Sequence, residues 1–153
     1  MFKYIAPEVA GGFGEATTLD ISVHPPIVFT LEHCFDGWLG DCIMETSPCF
    51  VITAKAKVLI EALNLSGVFF DSVITSKSDM FEELYPNIKL PEIYWAKITG
   101  IAGKDDFGIA DDLRLVISDG ALKVLASCGL KHADINDYYY DMNLHRTDYL
   151  ERH

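Results

Sequence analysis

The chain has 153 residues, of which 50% are hydrophobic, 12% aromatic and 23% charged. That length suits one globular domain spanning 1–153, and the composition excludes wholesale disorder. Twelve Lys and Arg against 23 Asp and Glu give a formal charge of −11, which repels a phosphate backbone, argues against nucleic acid as partner and favours encounter with basic proteins.

The first seven residues carry one lysine and no apolar run ahead of Pro7, unlike a secretion signal. No stretch is apolar for long enough to cross a bilayer, so the sequence predicts a cytoplasmic protein with no membrane partner. Residues 2–5 read as a strand. Gly11-Gly12-Phe13-Gly14 reads as a flexible turn opening a polar stretch to Asp20; Glu15 stands where a phosphate-binding loop requires lysine and a hydroxyl. After the rigid Pro25-Pro26 pair, residues 27–35 read as extended.

Two strand–cap–helix patterns follow, and they look like one repeated unit. In the first, residues 49–52 are a short apolar strand, Thr53 caps a helix over 54–63, and Asn64 suits a left-handed helix end. In the second, residues 113–117 are the strand, Ser118 the cap, 119–128 the helix and Gly129 the end. Ala56, Leu59, Ile60 and Leu63, and again Ala121, Val124, Leu125 and Cys128, fall at helical spacing and predict one apolar stripe each. Between them, residues 68–74 and 93–99 read as strands, and 78–85 as a short helix capped by Ser78 and closed by Pro86. These elements predict an α+β fold, or a mixed α/β one, with at least two helices packed on a mixed or mainly antiparallel sheet. The tail from about 142 is polar and loosely packed in this reading.

Motifs for chemistry are weak. Asp105-Asp106-Phe107-Gly108 has the letters of the kinase magnesium motif without the rest of a kinase. The acids from Asp105 to Asp112 lack the spacing of a calcium loop, so a solvated acidic loop is expected. Cys34, Cys42, Cys49 and Cys128 have no CxxC spacing and sit among apolar neighbours as reduced thiols. His33 and Cys34 are adjacent on a predicted strand and point to opposite faces, so the histidine does not activate the thiol directly. No cofactor, metal or catalytic residue is required by any motif. What stands out is surface: Trp38 in a glycine-flanked turn between Asp36 and Asp41, and Tyr138, Tyr139 and Tyr140 between Asp137 and Asp141. Tryptophan and tyrosine anchor interfaces, and acids steer basic partners.

Pro7-Glu8-Val9-Ala10-Gly11-Gly12, the 35–41 turn, Leu90-Pro91-Glu92-Ile93-Tyr94-Trp95 and His132-Ala133-Asp134-Ile135 resemble segments of small bacterial proteins. Residues 50–68 are similar to predicted immunity proteins of polymorphic-toxin and contact-dependent inhibition systems. The resemblance implies a cytoplasmic antidote that binds the C-terminal domain of a cognate toxin and blocks its active site. It carries no contact motif, so the contact residues expected here come from charge and aromatic character. They are Asp36, Trp38, Asp41, Asp105, Asp106, Asp111, Asp112, Tyr138, Tyr139, Tyr140 and Asp141. Two other readings stay open: a small enzyme using Cys34 or Cys49, and a homo-oligomeric interaction domain.

Overall fold

A computed structural model describes residues 1–139. In chain order, seven strands come first: β1 (Phe2–Ala6), β2 (Gly11–Phe13), β3 (Thr18–Asp20), β4 (Ile27–Thr30), β5 (Glu32–Phe35), β6 (Ile43–Thr46) and β7 (Cys49–Thr53). Helix α1 (Ala54–Ala62), β8 (Val68–Asp71), β9 (Ile74–Lys77), α2 (Asp79–Leu84) and β10 (Ile93–Ile98) follow. The described part ends with β11 (Phe107–Ile109), β12 (Leu115–Ser118), α3 (Asp119–Cys128) and β13 (Asp134–Asp137).

The strands form two four-stranded sheets, β11-β12-β1-β13 and β6-β7-β10-β8, both antiparallel throughout. A smaller sheet, β2-β5-β9, contains the one parallel pairing among the described strands, β5 with β9, and β3-β4 is a separate ribbon. The fold is α+β, as the sequence predicts.

The sheet built on β7 has apolar layers on both faces, which explains why Cys49-Phe50-Val51-Ile52 is an unbroken apolar run. Alternate residues of a strand point to opposite sides. Phe50 and Ile52 join Ile5, Ile60, Phe107, Ile117 and Leu125 in one core, where α1 and α3 lie side by side. Val51 and Cys49 join Phe35, Met44, Phe81, Ile93 and Trp95 in a second core. Each fully buried large side chain contributes roughly 2–3 kcal/mol.

The helix starts match their local signals. Thr53, Ser78 and Ser118 each accept a hydrogen bond from the amide three residues on, that of Ala56, Phe81 and Ala121 respectively. Asn64 takes φ +52° just beyond α1, the left-handed turn that asparagine tolerates.

Several boundaries differ from expectation. The extended stretch 27–35 breaks at buried Leu31, whose carbonyl accepts from Ile74 N, so β4 and β5 belong to different sheets. The 68–74 stretch divides likewise: β8 ends at Asp71 and Ile74 begins β9. Gly11-Gly12-Phe13 is a strand rather than a turn. A side chain on Gly11 would put its Cβ 2.0 Å from the carbonyl oxygen of Cys34, so glycine serves close strand approach there. Leu113 has φ +70° and precedes β12 instead of starting it. Leu63 caps α1 and is exposed, so the α1 stripe ends at Ile60.

Candidate functional site

The strongest site is a concavity where β1 runs out into the 7–10 segment. Two buried carboxylates shape it. Glu8 accepts from the backbone N–H of Leu39 at 2.6 Å and more weakly from that of Asp41 at 3.4 Å. Asp41, only 1% exposed, accepts from Lys131 N at 2.9 Å and His132 N at 2.8 Å. The carbonyl of Asp41 takes the Trp38 indole N–H at 2.9 Å, and Cys42 N donates to Gly129 O at 2.8 Å. Residues 37–42 are thereby tied to the exit of β1 on one side and to 129–132 on the other. Buried charge is tolerated because backbone amides hydrogen-bond to it.

Beside these ties lies an open cavity of about 470 Å³ lined by Trp38, Leu39, Val9, Glu45, His132 and Asp134, among others. Its rim is apolar: Val9 is 71% and Leu39 67% exposed. The side chains of Glu45, His132 and Asp134 have no hydrogen-bond or ion-pair partner among the described residues. Desolvation holds the Glu45 carboxyl above its ordinary pKa. Three acidic residues and one histidine therefore border a cleft that, among the described residues, no lysine or arginine lines.

The eleven residues expected from sequence do not form one surface. Trp38 is half-buried and lines this cavity, and Asp36, two residues earlier, is exposed, its carboxylate with no hydrogen-bond or ion-pair partner among the described residues. Asp41 is a correction: it is an internal clamp, because the turn that carries it folds back onto residues 131–132. Asp105 and Asp106 are half-buried, and both carboxylates are engaged within the chain. Asp105 accepts from Ile101 N at 2.7 Å, and Asp106 accepts from Ser118 Oγ at 2.6 Å and Ser66 N at 2.9 Å. Burial opposes ionisation of Asp106, but these hydrogen bonds outweigh it and hold the carboxyl below its ordinary value. The 100–112 segment is thus partly ordered by its own acids, with Phe107 of β11 in the core and Asp111 and Asp112 exposed.

Asp111 is exposed and unpaired among the described residues, whereas Asp112 pairs with Arg114 Nε at 2.6 Å. The Arg114 guanidinium lies 3.6 Å from the centre of the Tyr4 ring, and Tyr138 meets that ring edge-on at 5.0 Å. Tyr138 therefore packs on the sheet, while Tyr139 is 70% exposed. Tyr140 and Asp141 lie outside the described residues, as does the tail from 142.

Glu8, Glu45, His132 and Asp134 were missed as site residues, although Glu8, His132 and Asp134 fall in the short segments noted above. Glu45 carries its own signal: it is the one acid in the apolar run Cys42-Ile43-Met44-Glu45.

Cys42, Cys49 and His33 are poorly placed for nucleophilic chemistry. Burial pushes Cys42 up to about 12 and Cys49 up to about 11, so both stay protonated near neutrality. His33 is fully buried, meets Thr46 Oγ1 through Nδ1, and is held at about 4 by burial despite the nearby Asp36 charge. It alternates with the half-buried Cys34 along β5, as expected of neighbours on a strand. Among the described residues no group of three or more His, Cys, Asp or Glu could hold a metal ion, and no helix is long and apolar enough to cross a membrane. Compared with family models, curated proteins and solved structures, the chain matches none of them.

Proposed function

We propose that the protein acts by binding rather than catalysis: it is an immunity protein that neutralises a cognate bacterial toxin domain, inside the cytoplasm, through an acidic surface containing aromatic residues. The observation that carries this reading is the cavity beside Trp38, where an apolar rim meets carboxylates with no partner among the described residues, on a chain of net charge −11. Apolar anchors ringed by uncompensated charge suit a protein partner of opposite sign. Toxin domains that attack nucleic acid are basic for the sake of their substrate, and an acidic inhibitor competes for the same surface. The contacts retained from the sequence are Asp36, Trp38, Asp111 and Tyr139, joined by Val9, Leu39, Glu45 and Asp134.

We also infer that the segments 49–63 and 113–129 are one strand–cap–helix unit used twice. Equivalent caps at Thr53 and Ser118 and the side-by-side packing of α1 and α3 support it.

The functional test is co-expression with the C-terminal domain of the toxin encoded beside this gene. A stable complex on co-purification, together with restored growth, is expected. A toxin domain that neither binds nor is neutralised refutes the reading.

A further inference from the structure

We propose that the cavity beside Trp38 receives an arginine side chain of the protein partner. The inference rests on the binding role proposed above for the identity of that partner, but it concerns a chemistry that can be measured without it.

Charge complementarity selects a cation. Glu45 and Asp134 border the cavity with no countercharge among the described residues, and Glu8, buried in its wall, has lone pairs beyond the two amides it accepts from. The fold penalises ionisation of Glu45 by desolvating it, and an entering cation reverses that penalty by supplying the missing partner.

Shape and polarity select an organic cation over a metal ion. Trp38 is fixed by its indole N–H bond to the Asp41 carbonyl, and Leu39 and Val9 project at the mouth. A long side chain lays its methylene stem along such an apolar rim while its charged head reaches the carboxylates. A planar guanidinium stacks flat on an indole and bonds carboxylates through a fixed fork of donors, whereas an ammonium, such as that of Lys97 over Trp95 beside Asp71, meets ring and carboxylate as a point charge. Arg114 on the Tyr4 ring is this chain's own example of guanidinium stacking beside a carboxylate, that of Asp112.

The test is an NMR titration of the intact protein with Nα-acetyl-arginine amide, against Nα-acetyl-citrulline amide as the neutral isostere. Saturable shifts at the Trp38 indole and the Leu39 amide are expected with arginine, at roughly millimolar affinity for so small a ligand. Citrulline should bind about tenfold more weakly or less, one decade being the loss of a single charge-assisted contact. Glu45→Gln with Asp134→Asn should reduce arginine binding to the citrulline level, while Glu83→Gln, at an exposed acid of α2 outside the cavity lining, leaves it unchanged. Equal binding of the two amides by the unmodified protein overturns the proposal, as do arginine shifts that avoid the Trp38 region. If toxin binds while arginine and citrulline are indistinguishable, the arginine site fails and the binding role stands. If arginine is selected but no toxin binds, the antidote role fails alone.

Discussion

Replacing Asp41 by asparagine preserves size but turns one acceptor oxygen into an NH2 group. The wild-type oxygens accept separately from Lys131 N and His132 N, both in a site almost closed to water. Asparagine leaves one of those amides facing a second donor, and the other bond loses its ionic character. A buried donor left unsatisfied costs about 1–3 kcal/mol and a charge-assisted bond exceeds a neutral one by about 1 kcal/mol, so the loss should be about 3 kcal/mol. For a urea dependence of about 2 kcal/mol per molar, the unfolding midpoint falls by about 1.5 M. Asp36→Asn, at the other end of the same turn, removes an exposed carboxylate with no hydrogen-bond or ion-pair partner among the described residues and should stay within about 0.5 kcal/mol. Urea unfolding of both variants, followed by tryptophan fluorescence, is the assay. Equal midpoints for Asp41→Asn and the wild type would refute the clamp that shapes the cavity.

Other outcomes follow from burial and backbone geometry. His33 is neutral in the fold down to about pH 4, whereas the unfolded chain takes up its proton below about 6.5. The unfolded state therefore binds more protons in that window, so stability falls as pH drops, by about 2 kcal/mol between pH 7.5 and 5. His33→Phe should remove that part of the slope in urea titrations, and an unchanged slope would assign it elsewhere. Glu45 has a raised carboxyl pKa, so its ionisation disfavours the fold as pH rises through that value. Glu45→Gln should therefore raise Tm at pH 7, with no gain below the ordinary carboxylate range; a lower Tm at pH 7 contradicts the desolvation argument. Gly67 has φ +86°, and a Cβ there would lie 2.0 Å from the Phe107 carbonyl oxygen. Gly67→Ala should cost about 3 kcal/mol or prevent folding, read by thermal unfolding, since strain and clash act together.

Which features the sequence discloses depends on how far apart their causes lie. The caps at Thr53, Ser78 and Ser118 act within three residues, and each is readable as a hydroxyl ahead of an apolar run. The two-sided burial of β7 is likewise written in its unbroken apolar stretch. Asp36 and Asp41, in contrast, flank Trp38 almost symmetrically, and only a bond to residues 90 and 91 positions later makes one of them internal. Asp106 is similar, because its partner Ser66 lies 40 residues earlier. The cavity combines Val9, Trp38, Glu45 and His132 from segments that only the folded chain brings together, so no local pattern marks it. Gly11 was misread for the same reason: its need for glycine comes from the carbonyl of Cys34 across the sheet.

The position of β1 has a consequence for biosynthesis. Its neighbours are β12 and β13, so this strand cannot complete either pairing until segments far along the chain, Leu115–Ser118 and Asp134–Asp137, have been translated. Non-local pairing of that kind slows folding. Ile5 meanwhile lacks the partners that shield it in the fold, a stage at which chaperones would find their client.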